Sequence, residues 1–275
     1  MKQYRSVILL ATRATVAVAE LFRKNDQLQA LVYRGPASCA PGDPNGCSEL
    51  AAKLLESSPS KINVTFGGPN EALGITSQTL KDFDFYVQPG GGDWAASWDD
   101  VKHYAPAIQD YVTNGGRYIG FCVGAYLAGP ELGYNLLPKG DRIAREVEQD
   151  GAQVKGEEDT IIQVDWTYFS GNRKGKTYKK QWIYFQDGAV ILPKKDSPAK
   201  VLGRYSSNDN VAASLSQYGD GWVGLTGPHP EATKDWYNDP DHAPIHNPQG
   251  VHFDIGYDFV EAIVGIGGGV EDCDN

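Results

Sequence analysis

The stretch that most limits how this chain can fold runs from Gly115 to Gly129, Gly-Gly-Arg-Tyr-Ile-Gly-Phe-Cys-Val-Gly-Ala-Tyr-Leu-Ala-Gly. Tyr118, Ile119 and Phe121 read as the end of a buried strand, and Ala125, Leu127 and Ala128 favour a helix that begins at once. Between them, Gly120 and Gly124 bracket Cys122. A strand that breaks sharply into a helix, with a nucleophile between two glycines, is the geometry of a nucleophile elbow. A side chain at either glycine would crowd the tight turn or the helix packing behind it. At a helix start, free N–H groups and the positive end of the helix dipole favour thiolate over thiol. The alternative is a small cysteine buried in an α/β core.

Upstream of Cys122, short apolar runs alternate with helical segments. Ala30 to Tyr33, Ile62 to Phe66 and Phe83 to Val87 read as strands. Glu49 to Glu56, with Ser48 as its N-cap, and Val101 to Asn114, with Pro106 marking a kink or a start, read as helices. That alternation predicts a parallel sheet covered on both faces. After Gly129 the pattern changes. Thr160 to Phe169, Gln181 to Phe185, Ala189 to Leu192, Val201 to Tyr205, Val211 to Leu215 and Gly221 to Leu225 are strand-like runs broken by turn residues such as Asp187-Gly188. The expected fold is one α/β domain, a mostly parallel sheet flanked by helices with an added antiparallel β portion. Lys174, Lys176, Lys179 and Lys180 read as a solvated hairpin, and Phe259 to Ile266 as a closing helix before a flexible acidic tail over 267–275.

Composition removes several classes of function. A net charge of -10 and the lack of a basic run with interleaved aromatics argue against a nucleic-acid partner. No apolar run approaches the roughly 20 residues of a membrane span, so no membrane partner is expected. Nothing in the sequence calls for a cofactor. His242, His246 and His252 sit close in sequence, but Pro244 and Pro248 deny them a helical face, and no metal site is expected there. The N-terminal segment is ambiguous. Lys2, Arg5, an apolar run from Val7 to Ala11 and Ala17-Val18-Ala19 suit a signal peptide over 1–19, while Arg13 interrupts it and a short edge helix is the alternative. Cys39 and Cys47 bound a Pro/Gly/Asn-rich loop, which suits a disulfide in an oxidising compartment, though two free thiols fit the same spacing. With the sequon Asn63-Val64-Thr65, these features lean towards a secreted protein, with a cytoplasmic one as the alternative.

Two further stretches bear on chemistry. The third strand runs into Gln88-Pro89-Gly90-Gly91-Gly92-Asp93-Trp94, and a glycine cluster after a strand can aim backbone N–H groups at a developing anion. The last strand ends in Gly227-Pro228-His229-Pro230-Glu231, where a carboxylate two residues from a histidine can orient its ring.

Gly120-Phe121-Cys122-Val123-Gly124 and Gly227-Pro228-His229-Pro230-Glu231 together resemble the motifs of the class I glutamine amidotransferase-like superfamily. Tyr33-Arg34-Gly35-Pro36-Ala37-Ser38, Gln88-Pro89-Gly90-Gly91 and Phe121-Cys122-Val123-Gly124-Ala125-Tyr126 resemble, within it, the N-terminal domain of eukaryotic biotin-protein ligases and its stand-alone relatives. The resemblance covers 30–266 and places the domain at 20–266. It implies a flavodoxin-like fold, Cys122 as nucleophile, His229 as general base and Glu231 as its orienter. The oxyanion hole would use the N–H of Val123 and one from Gly91 or Gly92. Asp93 and Trp94, and Asp165 and Trp166, are candidate substrate contacts on a small amide, peptide or ester. No biotin-ligase catalytic region accompanies the motifs, so biotin transfer is not expected. A binding or regulatory module that keeps the fold without catalysis is the competing expectation.

Overall fold

The computed structural model describes residues 27–240 and 243–266. The expected leader over 1–19, the tail over 267–275 and His242 lie outside the described residues.

Five strands run parallel in the order β2-β1-β3-β4-β11: β1 (Gln29–Tyr33), β2 (Asn63–Gly67), β3 (Phe85–Gln88), β4 (Arg117–Phe121) and β11 (Gly221–Thr226). Their side chains alternate between two apolar layers, as a period of two requires. Ala30, Val32, Phe85, Val87, Ile119 and Phe121 enter one. Helices α1 (Cys47–Ser57) and α7 (Asp254–Gly265) cover it through Leu54, Leu55, Phe259 and Ile263. Leu31, Tyr33, Tyr86 and Tyr118 enter the other, under Ile108 and Val112 of α4 (Ala105–Thr113) and the short α5 (Val123–Leu127). Burial on both faces is why these strands read as unbroken apolar runs. Helices α2 (Ser77–Leu80) and α3 (Trp94–Val101) complete this half, and the short α6 (Lys234–Tyr237) follows β11.

Beyond β11 the sheet turns antiparallel through β10 (Val211–Tyr218), β9 (Lys200–Tyr205), β6 (Thr160–Thr167) and β7 (Thr177–Phe185). A ribbon of β5 (Arg142–Arg145) and β8 (Ala189–Leu192) joins at β10. The β6 residues Ile162, Val164 and Trp166 are buried while their neighbours are half-exposed, the alternation of a sheet wet on one side. The molecule is therefore an α/β protein with a mixed sheet, parallel at one end and antiparallel at the other. Among the described residues no helix is long and apolar enough to cross a membrane.

Three expectations change. Strand β5 has no counterpart in the sequence reading, because Arg142-Ile143-Ala144-Arg145 is too short and too charged to show a period. The helix expected over 101–114 is α4 alone, starting at Ala105 with Pro106 in its first turn; Val101 instead ends α3, and a 3-10 turn at Lys102–Tyr104 separates the two. Ser48 lies inside α1, which is entered through Gly46. Its buried hydroxyl donates to the Tyr33 carbonyl at 2.8 Å and pairs with Ser38 Oγ at 2.7 Å.

Two carboxylates tie the antiparallel half to α7: Asp254, which accepts from the Tyr168 hydroxyl at 2.8 Å, and Asp258. Asp258, buried, accepts from Trp166 Nε1 at 2.9 Å, from the Phe169 N–H at 3.0 Å, and from the N–H and hydroxyl of Ser170 at 2.8 and 2.6 Å. Asp258→Ala leaves buried donors without acceptors and should cost about 3 kcal/mol. Urea unfolding with an unchanged slope is the measurement, and a loss below about 1 kcal/mol would contradict this account.

Candidate active-site cleft

Cys122 is the residue between β4 and α5, with φ 48° and ψ -106°. That positive φ is unusual for a residue with a Cβ and holds only where the surroundings over-determine it. The Cys122 N–H donates to the Thr226 carbonyl on β11 at 2.9 Å, and its carbonyl accepts from Ala125 at 2.9 Å. Gly120 and Gly124 allow the turn. A side chain on Gly124 would collide with the Gln88 carbonyl, and one on Gly120 would come within 2.5 Å of the Gly124 carbonyl oxygen. The buried Tyr118 hydroxyl donates to that same carbonyl at 2.7 Å and fixes the helix from below.

His229 follows β11, and its N–H donates to the Tyr184 carbonyl at 2.9 Å. Its Nδ1 pairs with Glu231 Oε1 at 2.8 Å, while the Cys122 thiol, which donates to the Gln186 carbonyl at 3.6 Å, lies close enough to act on the ring by its charge. Glu231 is fully buried, and its Oε2 has no hydrogen-bond partner among the described residues. Burial alone would drive the imidazole towards neutrality. The Cys122 sulfur and the Glu231 carboxylate outweigh it and raise His229 from the ordinary 6.5 to about 10. Tyr184 and Trp236 stand edge-on to the ring, with centroids 6.1 and 5.1 Å away.

Cys39 and Cys47 form a disulfide. It belongs to the same wall: a side chain on Gly90 would approach His229 Cε1 at 2.7 Å and Cys47 Sγ at 3.2 Å. The loop it closes is also held by Trp236, whose Nε1 donates to the Asn45 carbonyl at 2.6 Å.

An open cleft of about 410 Å³ leads to the thiol. Gly91, Gly92, Asp93 and Trp94 form one side, with Cys122 and Val123 at the base. Val123 opens α5, so its N–H has no intrahelical acceptor, and Gly91 packs against its side chain. Asp93 caps α3 by accepting from the Ala96 N–H at 2.8 Å. His229 sits behind the thiol rather than on the cleft wall, against a small hollow shared with Trp182 and Tyr237.

Asp165 and Trp166 do not reach this cleft. Asp165 accepts from Ser206 Oγ and the Lys180 N–H on the antiparallel half, and Trp166 is buried against Asp258. His252 pairs with Asp254, and among the described residues no group of three His, Cys, Asp or Glu could hold a metal ion. The opposite cleft wall was missed from sequence: Arg145, Glu157, Gln186 and Asp187. Arg145 ends the unforeseen strand β5. Asp187-Gly188 reads from sequence only as a turn, a fair account of a residue with φ 44°.

A family model described as "Biotin-protein ligase, N terminal" matches residues 80–148, which include the Gly90–Gly92 loop and the Cys122 turn. No curated protein matches the chain. Among solved structures, a candidate GMP synthase subunit from Thermoplasma acidophilum aligns with a TM-score of 0.53 at 14% identity, over 87% of this chain and 96% of that one. This is a likeness of fold. A ThuA-like protein from Bacteroides uniformis aligns at 0.48 with 11% identity, over 88% of this chain and 92% of that one. An exo-β-1,4-mannosidase from Opitutaceae bacterium strain TAV5 aligns at 0.46 with 15% identity, over 82% of this chain and 35% of that one. Neither of these two bears on the function of this chain.

The close approach at Gly90 gives a paired test. Gly90→Ala forces apart the imidazole and the disulfide and should cost about 1–3 kcal/mol as an overpacked site. Gly92→Ala, with nothing within 4 Å, should leave stability unchanged. Equal unfolding midpoints for the two variants would refute this packing.

Proposed function

We propose that this chain is a cysteine-nucleophile hydrolase of the class I glutamine amidotransferase-like kind, with a flavodoxin-like domain at 20–266, acting on a small amide, peptide or ester. The observation that carries the reading is that Cys122 sits in a strained turn at the base of an open cleft, with His229, held by Glu231 at 2.8 Å, close enough to be influenced by its sulfur. The partial match to the biotin-protein ligase N-terminal family and the likeness of fold to the Thermoplasma GMP synthase protein support it.

In this reading His229 takes the thiol proton and Cys122 Sγ attacks the substrate carbonyl carbon. The oxygen that becomes negative is met by the N–H of Val123 and one from Gly91 or Gly92, a contribution of about 3–4 kcal/mol per donor. Collapse breaks the bond to the leaving amine or alcohol, which departs with the proton from His229 and leaves a thioester on Cys122. Water, deprotonated by His229, then releases the acid and restores the thiol. Glu231 fixes which ring nitrogen faces the sulfur and stabilises the imidazolium. The Cys39–Cys47 disulfide supports a secreted protein, with 1–19 as a leader and 267–275 as a tail.

The test begins with the thiol. Cys122 should react with iodoacetamide at neutral pH faster than a model thiol, and His229→Ala should slow it by about tenfold or more. If Cys122 reacts no faster and His229→Ala changes nothing, the non-catalytic module replaces this reading. Once a substrate is in hand, Cys122→Ala and His229→Ala should each remove nearly all turnover without adding when combined, and Glu231→Gln should leave more.

The raised His229 value also sets a pH window. A group whose folded pKa lies above its unfolded one stabilises the fold fully below pH 6.5, and the contribution disappears as pH climbs towards about 10. Glu231→Gln should narrow that window from above. Titration of the His229 ring by NMR reads it directly, and an unmoved midpoint would show that Glu231 does not stabilise the imidazolium.

A further inference from the structure

The cleft over Cys122 is divided by polarity. On one side, Leu132 is 46% exposed and, among the described residues, shares that distinction of an exposed large hydrophobic only with Tyr178. Its φ is 45°, a conformation a bulky residue seldom adopts, and strain of that kind concentrates where a ligand is gripped. Its carbonyl accepts from Trp94 Nε1 at 2.9 Å, and Trp94 packs on Tyr126 with centroids 4.9 Å apart. Leucine and two aromatic rings thus face an open cavity.

The other side is acidic. Asp187 grips Arg145 with both oxygens, at 3.0 Å to Nε and 2.6 Å to Nη2, and Nη2 also contacts Glu157. Glu148 stands 3.6 Å from Nη1. Three carboxylates therefore surround one guanidinium, and its Nε and Nη2 donors are engaged before any ligand arrives. Burial, and then Glu157 and Glu148, raise the Asp187 carboxyl above its ordinary value in spite of Arg145. The excess is negative, and an arriving cation would relieve it. The Tyr126 hydroxyl, donating to the Asp187 carbonyl at 3.0 Å, joins the two sides.

We propose that this cleft takes an amphipathic cation: a substrate that lays an apolar group on Leu132 and Trp94 and offers an ammonium or guanidinium to Asp187 and Glu157. The assignment rests on the reading of Cys122 as the nucleophile. An aromatic wall beside carboxylates suits such a cation twice over, through the ring faces and through charge. An anionic group would find Nε and Nη2 of Arg145 taken and would meet Glu148 beside Nη1, with Asp187 and Glu157 close by. Arg145 is then a strut that holds the carboxylates in place rather than a contact for substrate.

The test needs no known substrate. Bromoacetamides alkylate a thiol by forming a carbon–sulfur bond as bromide leaves, and they can carry different N-substituents: neutral butyl, cationic trimethylammonioethyl and anionic sulfoethyl. Each rate at Cys122 is divided by the rate with a neutral model thiol. The cation should outpace the anion by about tenfold at low ionic strength, and less in high salt. Glu157→Gln, at an exposed side chain, should roughly halve that preference. Asp187→Asn, which tolerates the left-handed backbone, should reduce it further when added. Glu56→Gln, outside the cleft, should not change it. An N-benzyl reagent should outpace N-methyl, and Leu132→Asn should remove that advantage. Equal cation and anion rates, or a faster anion, with Cys122 still more reactive than the model thiol, would overturn this proposal alone. A Cys122 no more reactive than the model thiol towards every reagent would overturn the hydrolase reading, and this proposal with it.

Discussion

The arrangement depends on the parallel pairing of β4 with β11, with Phe121 opposite Thr226. Parallel neighbours end at the same edge of a sheet, so the residues that follow them emerge side by side. Cys122 follows one strand and His229 the other, and the Cys122 N–H bond to Thr226 holds the two exits together. No loop has to reach across the molecule. The thiol and the imidazole meet because their strands are adjacent, although the residues are far apart in sequence.

That meeting then has to be kept in one geometry. The positive φ of Cys122 persists because Tyr118, Gln88 and Thr226 hold its surroundings from three directions. The imidazole is enclosed in the same way, between Glu231 Oε1, the edge-on Trp236 and the backbone of Gly90. Trp236 and Gly90 both lean on the loop closed by Cys39 and Cys47. A disulfide remote from the thiol in sequence is therefore part of the wall that fixes the histidine. A buried, singly bonded carboxylate at Glu231 is costly to fold around. The charge it favours on His229 offsets part of that cost.

The added antiparallel half supplies the far side of the cleft. Ribbon β5–β8 carries Arg145, and the turn before β8 carries Gln186 and Asp187. The parallel half provides the thiol and the glycine loop, and the antiparallel half provides the charged wall. The cleft is therefore built from both halves of the sheet.

Much of this was legible in the residues. The run from Gly115 to Gly129 determined a strand, a tight turn and a helix around Cys122, because only glycine fits where Gly124 meets the Gln88 carbonyl. Unbroken apolar runs such as Ala30 to Tyr33 determined strands buried on both faces. The Cys39–Cys47 spacing allowed the disulfide that forms. Tertiary structure decided the rest. Ser48 left its expected cap because its hydroxyl found Tyr33 and Ser38, partners remote in sequence. Trp166 turned inward to Asp258, since the face of β6 against α7 is set by packing and not by residue type. Arg145 and Glu157 carry no local signal, and Asp187 signals only a turn. Glu148 is a near neighbour of Arg145 in the chain, but Asp187 reaches the guanidinium only through the pairing of β5 with β8, which no local sequence window contains.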